Sequence, residues 1–151
     1  MQASCGWREW VGLPDLGISQ LKAKVDTGAR TSALHAFELN AEERADGLWV
    51  RFSVHPIQRS DEEIICCEAK VADVRVVRDS GGHEEERYVI VTDVSLGAER
   101  WPIEITLTAR DTMGFRMLLG RTAIRDRLLV DPGRSYLIGK RRRRVAKKKP
   151  D

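Results

Sequence analysis

A chain of 151 residues is long enough to bury a hydrophobic core, and we expect it to form one folded domain. Apolar residues make up 42% of the sequence and charged residues 32%, a balance that is typical of soluble globular proteins. No apolar run approaches the length of a membrane-spanning helix, so we expect no membrane partner.

Most of the sequence shows the alternation of apolar and polar residues that predicts β-strands. The predicted strands are residues 21–25, 48–55, 64–77, 87–94 and 101–108. Turn residues separate them, at Asp46-Gly47, Ser80-Gly81-Gly82, Leu96-Gly97 and Asp131-Pro132-Gly133. One short helix is predicted over residues 122–127. Many short strands joined by regular turns indicate an all-β fold, either a closed barrel or a sandwich.

The cysteines argue against a disulfide framework. The sequence has three, and Cys66 and Cys67 are neighbours in a predicted strand, where adjacent side chains point to opposite faces and do not pair easily. This pattern suits a reducing compartment. No apolar stretch precedes Cys5 that would serve as a signal peptide, and we expect a cytoplasmic location.

The C-terminal residues 140–151 contain eight basic side chains and one acidic side chain. The rest of the chain has 18 basic and 22 acidic residues, against 26 and 23 in the whole sequence, so its net charge is about −4 although the whole chain is +3. We therefore expect a folded domain over residues 1–139 and a disordered basic tail over residues 140–151. The tail is a candidate contact for a polyanion, and a solvated tail without a partner is the alternative.

The most informative segment is Lys24-Val25-Asp26-Thr27-Gly28-Ala29-Arg30, in which an Asp-Thr-Gly triplet ends a predicted strand. A second segment, Met117-Leu118-Leu119-Gly120-Arg121, follows later in the chain. Together they resemble the retropepsin-like aspartic proteases. The wider stretches 6–10, 23–36, 101–107 and 110–121 resemble the bacterial family that carries the name ATP-dependent zinc protease. The resemblance covers residues 6–139 and implies a retropepsin-like closed β-barrel with one short helix.

The resemblance also implies a role for each residue of the triplet. Asp26 would be the catalytic carboxylate, and Thr27 would reach across to the equivalent loop of a partner. Gly28 would let the backbone turn tightly and bring its N–H close to the carboxylate. The residues expected to support this loop from beneath are Leu118, Leu119, Gly120 and Arg121.

Substrate contacts are expected on both sides of the cleft. Ala29 and Arg30 follow the triplet directly, and a mobile hairpin around residues 78–86, with Gly81 and Gly82 at its tip, would cover the site. A plain surface hairpin is the alternative.

Peptide hydrolysis needs a base that takes a proton from water and an acid that protonates the carbonyl oxygen. Two carboxylates that share one proton supply both, as the aspartic proteases exemplify, because like charges about 3 Å apart do not both ionise. The other Asp-Thr pair, Asp111-Thr112, is followed by Met113 in place of glycine. We therefore expect a C2 homodimer in which one Asp26 from each chain forms the pair. Such an enzyme would be an endopeptidase acting on peptides or proteins.

Two alternatives remain open at this stage. One is a non-catalytic peptide-binding or assembly module on the same fold, and the other is a zinc-dependent hydrolase. The candidate ligands lie in different predicted strands without the spacing of a metal site, namely His35, His55, His83, Cys66 and Cys67. The sequence has no Gly-rich Walker loop. We therefore expect neither a metal nor another cofactor.

Overall fold

The computed structural model describes residues 2–57, 63–78, 81–109 and 114–139. In chain order, the first half contains β1 (Ala3–Gly6), β2 (Arg8–Leu13), a 3₁₀ turn (Pro14–Leu16), β3 (Ile18–Asp26), β4 (Ser32–His35), β5 (Phe37–Arg44) and β6 (Gly47–Val54). The second half contains β7 (Ile65–Arg78), β8 (Glu84–Leu96), β9 (Glu99–Thr108), β10 (Met117–Gly120), α1 (Arg121–Ile124) and β11 (Leu128–Asp131). Over the residues that the model describes, the chain is therefore all-β with one short α-helix.

Nine of these strands form one sheet in the order β2-β3-β10-β4-β9-β8-β7-β6-β5. A further pairing of β2 with β8, where Gly12 lies opposite Ser95, closes the first six strands of this order into a ring. The pairs β10–β3 and β4–β9 are parallel, and the other pairs of the sheet are antiparallel. Strands β1 and β11 form a separate parallel pair that joins the two ends of the described chain.

The core lies inside this ring of strands. Its fully buried apolar side chains include Leu13, Ile18, Leu21, Leu34, Ile90, Ile105, Met117 and Leu119. In β3 and in the first part of β9, buried apolar residues alternate with more exposed ones, because successive side chains of a strand point to opposite faces. No helix among the described residues is long and apolar enough to cross a membrane.

The predicted strands at residues 21–25, 48–55, 64–77, 87–94 and 101–108 are confirmed as β3, β6, β7, β8 and β9, with shifts at their ends. The turns at Asp46-Gly47 and Leu96-Gly97 are confirmed as the connections β5–β6 and β8–β9. The predicted helix is shorter than expected, because the backbone is extended at Arg125 and has a φ of 63° at Asp126. The predicted tail at residues 140–151, and Asp111-Thr112, lie outside the described residues.

Candidate active site

Asp26 is the last residue of β3 and lies directly opposite Gly120, the last residue of β10. These two strands run parallel, so the two predicted motifs end side by side at the same edge of the sheet. Asp26 is half-buried, whereas Thr27 and Gly28 are exposed. The carboxylate therefore sits where the sheet meets a solvent-facing loop.

Backbone groups of the loop hold Asp26 in place. The Gly28 N–H donates to Asp26 Oδ1 at 3.1 Å, and the Ala29 N–H donates to the Asp26 carbonyl oxygen at 3.2 Å. Gly28 does not have a positive φ, so a tight left-handed turn is not the reason for glycine at this position. A Cβ added there would lie 3.3 Å from Asp26 Oδ1, and glycine therefore keeps the space beside the carboxylate open.

Residues that follow β10 bind the other side of this loop. The Arg121 N–H donates to the Ala29 carbonyl oxygen at 2.8 Å, and Arg121 Nη1 donates to the Gly28 carbonyl oxygen at 3.1 Å. Thr122 donates to the Arg30 carbonyl oxygen from its N–H at 3.1 Å and from Oγ1 at 2.7 Å. Four hydrogen bonds thus fix the loop after Asp26 to the start of α1.

Gly120 is required by a close approach of two backbone segments. A Cβ at this residue would lie 2.6 Å from the Thr31 carbonyl carbon and 2.9 Å from the Ser32 nitrogen. The Gly120 N–H donates to Ser32 Oγ at 3.0 Å in a buried hydrogen bond. Of the other residues expected beneath the loop, Leu119 is fully buried, and Leu118 is half-buried opposite Lys24 and Ala33. Sequence reasoning did not identify Ser32 or Thr122 as part of this arrangement.

The predicted hairpin is formed by β7 and β8, with Gly81 and Gly82 exposed between them and a φ of 83° at Gly82. It extends along β9, and Arg75 of β7 forms an ion pair with Glu104 of β9 at 2.8 Å. The Arg75 guanidinium holds the pKa of Glu104 below its usual value, mainly through its hydrogen bonds to that carboxylate, and Arg30 adds to this effect. Arg30 of the Asp26 loop and the hairpin therefore act on the same carboxylate.

A buried carboxylate that sequence reasoning did not identify lies in β2. Glu9 is fully buried, and its two oxygens accept four backbone N–H groups. Oε2 accepts from Gly6 at 2.7 Å and from Leu137 at 2.8 Å, and Oε1 accepts from Ile138 at 3.0 Å and from Gly139 at 2.6 Å. Glu9 thus anchors residues 137–139, which lead directly into the basic tail, to the sheet. The only sequence signal was its place in the stretch 6–10, which resembles the protease family.

The three thiols differ in environment. Cys66 is exposed, whereas Cys5 and Cys67 are buried. Burial raises the pKa of Cys5 to about 11, with the Glu9 carboxylate adding to the rise, and burial likewise raises the pKa of Cys67 to about 11. Among residues 2–57, 63–78, 81–109 and 114–139, no three His, Cys, Asp or Glu residues lie close enough together to hold a metal ion.

The model of the family described as the RimB-like retropepsin-like aspartic endopeptidases matches residues 4–141. The chain is also 47% identical over 136 residues to a protein of Shewanella pealeana named "Probable alpha-L-glutamate ligase". It is 49% identical over 134 residues to a protein of the same name from Parasynechococcus marenigrum. These matches cover 90% and 89% of this chain but only 30% and 29% of the two relatives. The chain therefore spans less than a third of the curated relatives that it matches.

A solved structure from Legionella pneumophila has the same fold. This protein, Lpg0085, is described as being of unknown function (DUF785), and it superposes on the chain with a TM-score of 0.75 at 28% identity. The superposition covers 91% of this chain and 98% of that one. Unlike the ligase relatives, Lpg0085 thus matches over nearly its whole resolved length.

Proposed function

Because the chain belongs to the RimB-like family of retropepsin-like aspartic endopeptidases, we propose that it hydrolyses peptide bonds with paired Asp26 carboxylates. One carboxylate of the pair is ionised and takes a proton from the attacking water, while the other is protonated and donates to the carbonyl oxygen. The neutral tetrahedral intermediate then collapses with transfer of a proton to the leaving nitrogen.

The observation that supports this proposal is the fixed position of Asp26. Its Oδ1 accepts the Gly28 N–H at 3.1 Å, and the chain after it is bound to Arg121 and Thr122 by four hydrogen bonds. A catalytic carboxylate has to be held in place before the substrate arrives, because any reorganisation during the reaction adds to the barrier.

The second carboxylate comes, in this proposal, from a second copy of the chain. The sequence has one Asp-Thr-Gly triplet, and a symmetric dimer brings identical residues together on its axis. Thr27 is exposed next to Asp26, where its hydroxyl is available to the loop of the partner. Ala29, Arg30, Gly81 and Gly82 are the proposed substrate contacts, from the loop and from the β7–β8 hairpin.

We also propose that the peptide substrate is acidic. Lys24 lies two residues before Asp26 on the same face of β3, and Arg30 and Arg121 are exposed on the loop and on α1. Among the described residues, no ion pair with a carboxylate joins Lys24 or Arg121. The relatives in which this domain makes up about 30% of the length are named for alpha-L-glutamate ligation. Peptides that contain runs of glutamate are therefore the first substrates to test.

The decisive experiment compares the chain with its Asp26→Asn variant on a peptide library that includes glutamate runs, from acidic to neutral pH. Mass spectrometry identifies the cleaved bonds, and the exposed substitution Glu43→Gln serves as the control. We expect cleavage by the unmodified chain and by Glu43→Gln, and none by folded Asp26→Asn, because an amide does not act as a base. Cleavage that persists in folded Asp26→Asn excludes the aspartic mechanism. If the unmodified chain binds peptides but neither it nor the variants cleave them, the result would instead favour a peptide-binding module.

A further inference from the structure

Strand β9 contains two buried hydroxyl groups on the face that the sequence pattern assigns to polar residues. Thr106 is 3% exposed and Thr108 is 1% exposed. Glu104, Thr106 and Thr108 are alternate residues of β9, so their side chains leave the same face of the strand. Buried hydroxyls need hydrogen-bond partners. The elements that supply partners to Thr106 and Thr108 are therefore the ones that lie over this face of β9.

Each of the two hydroxyls has a partner in the β7–β8 hairpin. Arg87 Nη1 of β8 donates to Thr106 Oγ1 at 3.3 Å, and Thr108 Oγ1 donates to the Glu85 carboxylate at 3.0 Å. Arg87 Nε also donates to Glu85 at 3.3 Å, so the two hairpin residues hold each other. The Arg87 side chain is only 11% exposed and that of Glu85 25% exposed. The hairpin is therefore attached to β9 by a partly buried polar contact as well as by its backbone pairing.

Thr106 also forms a hydrogen bond on its other side, toward the Asp26 loop. Its Oγ1 donates to the Ser32 carbonyl oxygen at 3.3 Å, while Ser32 Oγ accepts the Gly120 N–H at 3.0 Å. Gly120 lies opposite Asp26 in the β10–β3 pair. Arg87 and Thr106 are therefore linked to the residue that faces Asp26 through two different groups of Ser32, since its carbonyl oxygen accepts from Thr106 and its hydroxyl accepts from Gly120.

We propose that Arg87 and Thr106 are positioning residues that couple the β7–β8 hairpin to the loop of Asp26. Thr106 has one proton to donate, and it gives that proton to Ser32 while accepting from Arg87. A shift of the hairpin base removes the donor that orients this hydroxyl, and the change reaches the Ser32 backbone and then Gly120. The hairpin and the catalytic loop thus share one hydrogen-bond network. The coupling is a property of the folded chain, and only its effect on turnover rests on the proposed function.

Amide hydrogen exchange on three variants tests the coupling without any substrate. Arg87→Met removes the donor and keeps an apolar stem, and Thr106→Val removes the hydroxyl at constant shape. Arg78→Met is the matched control, because it breaks the exposed ion pair with Glu84 farther along the same hairpin. We expect the first two variants to raise exchange at residues 27–30 and 120–122 about tenfold, the scale set by one hydrogen bond. Arg78→Met should change exchange only within the hairpin.

Two further variants test whether the change in exchange at residues 27–30 depends on the hydrogen bond between Arg87 and Thr106. Arg87→Lys keeps the charge and a donor but loses the forked guanidinium, so exchange at residues 27–30 should rise less than in Arg87→Met. The double variant Arg87→Met/Thr106→Val should show no more exchange there than either single variant, because residues in one network are not additive. Exchange that rises in β8 and β9 but not at residues 27–30 would overturn the coupling, and so would fully additive effects.

A kinetic comparison then separates this proposal from the proposed function. If the chain cleaves peptides, Arg87→Met should lower kcat at least as much as it raises KM, since the loop that it disturbs carries Asp26 as well as the proposed substrate contacts Ala29 and Arg30. A rise in KM at unchanged kcat would contradict the positioning role. If no peptide is cleaved but exchange at residues 27–30 rises as expected, the coupling is established and the peptidase proposal fails.

Discussion

Replacement of Glu9 by glutamine is the sharpest test of the packing that the structure shows. Each carboxylate oxygen of Glu9 accepts two backbone N–H groups, and the residue is fully buried. Glutamine has nearly the same shape, but one of its two ends is an NH₂ group that donates and does not accept. Whichever end turns inward, two of the four backbone donors lose their acceptor.

The expected loss follows from the cost of a buried donor without a partner. That cost is about 1–3 kcal/mol per group, so Glu9→Gln should lower the free energy of unfolding by about 2–6 kcal/mol. This is a large share of the roughly 5–15 kcal/mol that holds a typical domain together. Urea unfolding followed by circular dichroism measures the loss, and amide exchange at residues 137–139 locates it.

Glu43→Gln is the matched control, because Glu43 is exposed on β5. It should change the free energy of unfolding by less than about 0.5 kcal/mol. If Glu9→Gln and Glu43→Gln unfold at the same urea concentration with equal slopes, the four N–H groups do not depend on the carboxylate. The account of how the end of the described chain is held would then be wrong.

Three further predictions concern the thiols, the dimer and the tail. At pH 8 iodoacetamide should alkylate Cys66 in the native protein and spare Cys5 and Cys67 until urea unfolds it, because a thiol with a pKa raised to about 11 is almost entirely protonated. Equal labelling of all three thiols in the native protein would contradict the burial of Cys5 and Cys67. Their contribution to the free energy of unfolding is present in full below the ordinary thiol pKa of 9.0 and should be lost as the pH rises toward 11. Thr27→Ala should weaken the proposed dimer in sedimentation across a concentration series, and specific activity should fall on dilution; a fully active monomer would overturn the paired-carboxylate mechanism. Deletion of residues 140–151 should leave the fold intact and reduce the salt dependence of polyanion binding by roughly one unit of slope for each phosphate that the tail binds, and an unchanged slope would show that the tail binds none.

The sequence predicts strands such as β3 and β9, in which buried apolar residues alternate with more exposed ones, and also β7, which has one buried residue but is rich in β-branched residues. Strand β2 was not predicted because a charged residue, Glu9, occupies one of its buried positions and breaks the pattern. Strand β5 was not predicted because it lies at the edge of the sheet and is mostly exposed, so its pattern has little apolar contrast. Three of the four N–H groups that Glu9 binds are more than 120 residues away in the chain. No local pattern reports an interaction of that kind.

The candidate site likewise has residues that the sequence predicts and residues that it does not. The neighbouring ends of β3 and β10 follow from two recognisable motifs, and the structure brings Asp26 and Gly120 together. The hydroxyls of Ser32 and Thr106 carry no such signal, because a threonine on the polar face of a strand looks solvent-exposed in sequence. Thr106 is buried, and it is in contact with Arg87 of the hairpin and with Ser32 of β4. Burial of a polar residue depends on which distant element packs over it, and the alternation of apolar and polar residues along a strand does not predict that packing.

The Asp26 loop has one satisfied side and one open side, and this asymmetry bears on assembly. Its inner carbonyl groups, at Gly28, Ala29 and Arg30, all accept hydrogen bonds from Arg121 or Thr122. Its outer side presents the exposed Thr27 next to a half-buried carboxylate. One carboxylate supplies either the base or the acid of peptide hydrolysis but not both at once. If the chain is a peptidase as proposed, we expect the missing group to approach from the open side, where the same loop of a second copy would carry a hydroxyl and a carboxylate in matching positions.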